Sequence, residues 1–505
     1  LISGVLNGED RRGGDVVWLG RRAGLGLFSG FFLIWVIMSY PASLQAWWFM
    51  DDYNSYDPLF SAWKFIESGI YNGRLLLGPV LMPLLLDAPP EGNGINVLHR
   101  LVQMALHAWA GVLMVSLLAR RLPMAGAVAC AAVFTFYCFH GQPTMWLAAA
   151  IYPAGAVLSL SGVRFIVGTV TWKWRLLGAF CLFLAMHTSQ VAAITGLLVY
   201  GIGVVLAWVE DGQLDWKALT KRVGWMGAGL LTGFLGNFVL MRISGHLRVY
   251  ERGWDERMAF VGRYLEAFMH GFEGYTAAVA TGHWMVIGVF LAAVGTGLFI
   301  WRRRVLPLGA ALLLPAALGV GALSPLVATG SLFPSFRVFY LLPLILTGAL
   351  AVVFLAGKQV PLFRYAGWIL SLWLLFSYFG PARQNASDLV TLYQRDRATY
   401  AALEAVAVKA GTERVLFMDW PGAGGWDLNP YDLTVVMGDN LKSVLHIGTS
   451  NYRALWYFTG LENVDWWHWE EMRRKYAPLA AGLPRDEPFK FVHIEEEDFL
   501  LVVPR

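Results

Sequence analysis

Apolar stretches long enough to be helices in lipid alternate with short polar breaks from residue 25 to about residue 380, and no comparable stretch follows. A crossing helix needs about 18 or more apolar residues. The apolar pattern, taken with the alternation of basic loops, predicts about eleven spans, at 25–48, 96–118, 122–139, 148–168, 175–187, 190–208, 224–242, 284–301, 305–323, 338–356 and 364–380. The pair at 175–187 and 190–208 is the tightest. The apolar stretch 75–86 is short and holds Pro79 and Pro83, which suits a re-entrant or membrane-hugging segment better than a span. After Pro381 charged residues intersperse the apolar ones. There the periodicity predicts a helix over 388–409, strands over 414–420 and 443–447, and a hairpin of 489–494 with 499–503 turning at 495–498. The expected fold is an α-helical polytopic membrane domain, 1–380, with long loops 49–95 and 243–283. A small C-terminal α/β soluble domain, 381–505, follows it.

Charge orients this arrangement. Arg21 and Arg22 precede the first span, and basic residues recur at Arg120 and Arg121, Lys173 and Arg175, Lys217 to Arg222, Arg302 to Arg304, and Lys358 with Arg364. Every second loop is basic, and short basic loops stay in the cytoplasm. The N-terminus is then expected inside, with the loops 49–95 and 243–283 and the C-terminal domain outside.

Composition agrees with a bilayer as solvent: 57% of residues are hydrophobic and 15% charged, with a mean hydropathy of +0.52, against about 25% charged in a typical soluble domain. The net charge of +4 is scattered in loop clusters, which argues against nucleic acid as a partner. Cys130, Cys138 and Cys181 all lie in apolar runs and read as small core side chains. The first apolar run has no small-residue cleavage site, so no cleavable signal is expected.

The segment Trp47-Trp48-Phe49-Met50-Asp51-Asp52-Tyr53 sets two adjacent carboxylates at the outer mouth of the first span, behind an aromatic belt. Carboxylates at that depth are costly unless paired, hydrated or working. Two neighbours can hold different protonation states, so that one accepts a proton from a hydroxyl. A solvated loop capping the next helix is the equally weighted alternative. His140, Gln142 and Trp146 share a short outer loop where a Trp can stack on a sugar face, although interfacial Trp is common in any membrane protein. The segment 244–283 has the mixed charged and aromatic character of a surface-lying lid, or of a plain connection. His468 with Glu470 and Glu471, and His493 with Glu495 to Asp498, have metal-ligand residue types but read as solvated acidic turns; no metal site is expected.

A first span, an outer Asp51-Asp52, an amphipathic stretch and then Gly73-Arg74-Leu75 with prolines resembles the polyprenyl-phosphate-sugar-dependent glycosyltransferases of the GT-C superfamily. The closest likeness is to the phage-type O-antigen glucosyltransferases. The resemblance implies that Asp51 and Asp52 are the catalytic centre and that Gly73 and Arg74 match the Gly-Arg that follows it. His187-Thr188-Ser189-Gln190 matches an outer helix end, and Phe333-Pro334-Ser335-Phe336-Arg337 a late outer loop with its basic residue. A polyprenyl phosphate donor carries negative charge, and arginine suits its oxygens best. Arg74, Arg337 and Arg100 are the expected phosphate-binding residues, among outer-side arginines that also include Arg242 and Arg248. The same side holds His99 and His246. His99, His140, Gln142, Trp146, His187, Gln190 and Tyr53 are the expected substrate-lining residues.

The implied activity is inverting transfer of a sugar from a polyprenyl-phosphate donor to a glycan, lipid or protein acceptor at the outer face of a bacterial inner membrane. Whether a divalent cation is required stays open. Partners are then membrane lipids, the donor and the acceptor, with a protein partner open for the Trp-rich C-terminal domain. The competing readings are a lipid or solute transporter, which needs ionisable residues deep in several spans, and a non-catalytic subunit displaying the C-terminal domain.

Overall fold

The computed structural model describes residues 19–40, 42–44, 76, 94–137, 140, 150–169, 171–243, 254–255, 258, 277–300, 305–329, 340–417, 459, 461–463, 469–484 and 489–504. Helices dominate: α1 (Arg21–Met38), α2 (Gly94–Leu118), α3 (Met124–Thr135), α4 (Ile151–Gly168), α5 (Trp172–Thr188), the single turn α6 (Gln190–Ala193), α7 (Thr195–Asp211), α8 (Trp216–Ile243), α9 (Ala277–Ile300), α10 (Val305–Thr329), α11 (Pro343–Ala356) and α12 (Pro361–Ala410). Among the described residues, eight helical segments are long and apolar enough to cross a membrane. They are Arg21–Met38, Val97–Leu118, Ile151–Gly168, Gln190–Asp211, Trp216–Leu240, Ala278–Leu298, Val305–Ser324 and Pro361–Gln384. Met124–Thr135 and Pro343–Ala356 are apolar but shorter, and every residue of the latter is buried. A helix enclosed on all sides by other helices faces no lipid and need not match its thickness.

Several boundaries differ from those expected from hydropathy. Helix α1 starts on Arg21 and ends at Met38, well before residue 48, because Pro41 disfavours helical geometry in the residue before it. Asp215 lengthens α8 toward its N-terminus by accepting the Ala218 amide at 3.0 Å, an N-cap that hydropathy does not weigh. Helix α9 begins at Ala277 rather than 284, so the last residues of the expected lid segment, including His283, are helical. Helix α12 runs for 50 residues straight through Pro381, joining the last expected span to the helix expected at 388–409. It ends where Gly411 adopts φ 73°, the left-handed conformation that only Gly takes at little cost.

Helices α4 and α5 approach each other closely. A Cβ on Gly162 of α4 would sit 2.7 Å from the Gly178 carbonyl oxygen of α5, and one on Gly178 would sit 2.5 Å from the Gly162 oxygen. Small residues let two backbones touch where no hydrophobic force drives helices together in lipid. The chain then turns at Ser189, whose backbone is extended and whose hydroxyl accepts the Ala192 amide at 3.3 Å.

At the end of the bundle where α2 stops and α3 begins, the chain is basic. Arg121 bonds Asp211 at 2.8 Å and Glu210 at 3.4 Å, while Lys358, just past α11, bonds Glu210 at 2.6 Å. These pairs tie the ends of α2, α7 and α11 together.

The C-terminal region carries a four-stranded sheet of β1 (Arg414–Phe417), β2 (Glu462–Asn463), β3 (Phe489–Ile494) and β4 (Phe499–Pro504), in the order β2-β1-β4-β3. Strand β1 pairs parallel with β2 and β4, and β3 pairs antiparallel with β4, Phe489 opposite Pro504 and Ile494 opposite Phe499. The expected hairpin is present with its turn at 495–498, where Asp498 takes φ 51°, a conformation Asp tolerates better than most residues. Strand β1 covers 414–417 of the strand expected at 414–420; residues 418–420 and the strand expected at 443–447 lie outside the described residues. Leu416, Phe499, Leu501 and Val503 pack on Tyr476 and Ala480 of α13 (Trp469–Gly482). Leu500 and Val502 are buried on the opposite face; burial on both faces explains why β4 is continuously apolar.

Candidate functional site

Buried polar side chains gather at the end of the bundle opposite the basic one. On α2, His99, Gln103 and His107 recur every four residues and therefore share one face. The Gln103 amide Nε2 donates to His99 Nδ1 at 3.2 Å. All three are buried, and Arg100 beside them is 0% exposed, among the largest fully buried side chains.

His107 opens onto an aromatic cluster. Its ring lies 5.3 Å from Trp35 of α1, 5.4 Å from His140 and 5.7 Å from Tyr340, centroid to centroid. His140 stacks on Tyr340 at 4.3 Å, and Tyr152 at the start of α4 reaches Tyr340 at 5.8 Å. His140 Nε2 is 2.9 Å from the Tyr340 carbonyl oxygen and Nδ1 3.3 Å from that of Thr135. A neutral imidazole carries one N–H, so the shorter contact takes it and ties the chain after α3 to the chain before α11. His140 is 0% exposed and holds these two segments together. A second group continues the cluster: Tyr137 meets Tyr378 of α12 edge-on at 5.1 Å, and the Tyr378 hydroxyl lies 3.4 Å from His283 Nε2 of α9.

The His187 corner belongs to the same end. His187, Thr188 and Ser189 are buried and Gln190 is half-buried. The His187 ring sits edge-on to Phe183 at 4.4 Å and against Gly236 of α8, where a Cβ would come 3.2 Å from His187 Nε2. Next to it Asn237 Nδ2 donates to the Met186 carbonyl at 3.0 Å. The Leu76 amide donates to the His187 carbonyl at 3.4 Å, so the chain two residues past Arg74 meets this corner. The short helical turn Ala42–Leu44, on the chain leading from α1 toward Asp51, packs against α2 and α12.

Of the expected site residues, His99, Arg100, His140, His187 and Gln190 are thus found at one end of the bundle. Asp51, Asp52, Tyr53, Arg74, Gln142, Trp146 and Arg337 lie outside the described residues, as do His246 and Arg248. Arg242 is exposed at the end of α8. Gln103, His107, His283, Tyr340, Tyr378 and Asn237 were not singled out by sequence. The signal for the first two was the four-residue repeat from His99 inside an apolar run. His107 is an ionisable residue near the middle of the candidate span Val97–Leu118. Among the described residues no three His, Cys, Asp or Glu side chains converge as metal ligands.

Comparison of the chain with known protein families, with curated proteins and with solved structures finds no match in any of the three.

Proposed function

We propose that the chain is a GT-C-type membrane glycosyltransferase that moves a sugar from a polyprenyl-phosphate donor to an acceptor hydroxyl at the non-cytoplasmic face. In this reading the membrane is a bacterial inner membrane, the basic end faces the cytoplasm and the C-terminal domain lies in the periplasm. The observation that carries the reading is Arg100, a guanidinium 0% exposed beside the His99-Gln103-His107 stripe, at the end of the bundle from which α1 leads into Asp51-Asp52. Desolvating a charge within an apolar bundle is costly, and such residues mark sites of function more often than of packing. Arginine is also the side chain that best holds phosphate by paired hydrogen bonds.

The chemistry assigned to these residues balances simply. Asp51 or Asp52 takes the proton of the acceptor hydroxyl, whose oxygen attacks the anomeric carbon from the face opposite the phosphate. The bond from that carbon to the phosphate oxygen breaks, and polyprenyl phosphate leaves with the electron pair. Arg100, with Arg74 and Arg337, stabilises the charge that builds on the departing phosphate, the place where fixed cations lower a barrier most.

The test is release of polyprenyl phosphate from polyprenyl-phosphate glucose by the purified chain in lipid nanodiscs supplied with lipopolysaccharide acceptor. Asp51→Asn or Asp52→Asn should lower the rate by about 10²-fold or more, the usual worth of a positioned base. Arg100→Gln should lower it too while weakening donor binding. Wild-type rates in both Asp variants would overturn the reading.

A further inference from the structure

The basic end holds a feature that the proposed transferase chemistry does not use. The turn between α2 and α3, the last turns of α7 and the first turns of α8 enclose a cavity of about 320 Å³, a size typical of small-ligand pockets. Three guanidinium groups line it, Arg120, Arg121 and Arg222. Leu117, Val199 and Val204 add apolar surface to the lining. The lining therefore mixes guanidinium groups and two carboxylates, Asp211 and Asp215, with an apolar wall.

Its charges do not cancel. Arg121 and Lys358 answer Glu210 and Asp211 in the ion pairs that tie α2, α7 and α11. Asp215 also lines the cavity, but its Oδ1 accepts the Ala218 amide as the cap of α8. Set against Asp211 and Asp215, the three arginines of the lining leave one positive charge in excess; Arg120 also feels Asp211, and Arg222 donates a hydrogen bond to the Tyr200 hydroxyl. Arg120 is exposed overall, yet partial desolvation, and then the like charges of Arg121 and Arg222, hold its guanidinium below its ordinary pKa against the opposing pull of Asp211. An anion between these side chains would relieve that repulsion.

We propose that this cavity binds a phosphate ester, with Arg120 and Arg222 gripping the phosphate and the apolar wall taking an attached hydrocarbon chain. Guanidinium groups bind phosphate oxygens through paired, charge-assisted hydrogen bonds. The phosphate comes either from a lipid headgroup or from a soluble phosphate, and the two sources make different demands on the apolar wall. Because the site is at the opposite end from Arg100 and the Asp51 segment, it stands or falls independently of the transferase reading.

The experiment uses the full chain in neutral detergent, with native mass spectrometry and thermal unfolding in the presence of phosphatidylglycerol, phosphatidylcholine or inorganic phosphate. Phosphatidylglycerol should bind and raise the melting temperature, and zwitterionic phosphatidylcholine should not. Arg120→Gln and Arg222→Gln should each weaken the binding about 10-fold or more, the worth of one charge-assisted contact. Arg222→Lys, which keeps the charge without the fork, should fall between, and this variant guards against a folding defect in the Gln forms. Lys173→Gln, a basic residue of the same end outside the cavity, should bind as the wild type does. Competition by inorganic phosphate identifies a site for free phosphate; no competition, with lipid still bound, identifies a headgroup site. Equal effects of the two lipids, no binding of either anion, or an equal loss in Lys173→Gln and Arg222→Gln would overturn the proposal, because each is what indiscriminate attraction of a basic rim to anionic lipid produces.

Discussion

Gly162 and Gly178 show how much one methyl group decides where two helices touch. A Cβ at Gly178 would meet the Gly162 carbonyl oxygen at 2.5 Å and Ile166 Cγ1 at 2.7 Å, and a backbone carbonyl cannot step aside as a side chain can. Gly178→Ala should therefore destabilise the bundle by about 1–3 kcal/mol, the usual cost of overpacking, read as a lower melting temperature in detergent. Gly201→Ala, where nothing lies within 4 Å, should be neutral or stabilising by up to about 1 kcal/mol through helix propensity. His140→Ala should cost about 1–3 kcal/mol, because it leaves the Tyr340 carbonyl without its donor in a dry interior. At this scale the sequence was only partly legible. Two glycines in apolar runs look alike until the partner helix is known. His99, Arg100 and His140 stood out as polar residues near span ends, while His283 was hidden because hydropathy started its helix too late.

Helix α12 shows why element boundaries are harder to read than elements. Its first half is lipid-like and its second half amphipathic, so the change in composition at Pro381 reads as a break. The backbone continues because a proline costs a helix one hydrogen bond and a clash on one turn, and the long run of good helix formers on either side outweighs that. The hairpin β3–β4, by contrast, follows directly from alternation and an acidic turn. Its stability is tied to pH through Lys475 of α13, which is hydrogen-bonded to Glu497. That bond holds the Glu497 carboxyl below its ordinary value and the Lys475 ammonium above its own. A lowered carboxyl contributes stability that is complete above its unfolded pKa and is lost as pH falls through the folded one. A raised ammonium contributes below its unfolded pKa and is lost as pH rises through the folded one. The pair is therefore fully stabilising between the ordinary values of 4.5 and 10.5. Amide hydrogen exchange of residues 489–504, corrected for intrinsic rates, should show protection falling below pH 4.5 in the wild type. In Glu497→Gln that step should be absent, and the effect is small because the pair is largely exposed.

For the molecule as a whole, the alternation of basic and non-basic loops and the direction of the helices lead to a topology that labelling can check. Helix α12 starts beside Lys358 at the basic end, and its 50 residues extend roughly 75 Å at 1.5 Å per residue. That is far more than the roughly 30 Å hydrocarbon core, so in the proposed topology it carries the chain clear of the membrane before the sheet begins. With Cys130, Cys138 and Cys181 replaced by Ala, Lys217→Cys should react with an impermeant maleimide only from the cytoplasmic side and Lys490→Cys only from the other. Labelling of both from one side would invert or break the topology proposed for the chain.

Helices long and apolar enough to cross a membrane, the helical class and the C-terminal hairpin follow from composition and period, which are properties of neighbours along the chain and need no knowledge of distant contacts. The meeting of Trp35, His107, His140 and Tyr340, and of Arg120 with Arg222, depends instead on how helices far apart in the chain are packed. Glycine contacts, caps and ion pairs set that packing, and each has a partner that hydropathy cannot specify. The physical reason is the same in both places: burial is scored residue by residue, but a buried polar group is stable only with its partners, and partners are chosen in three dimensions.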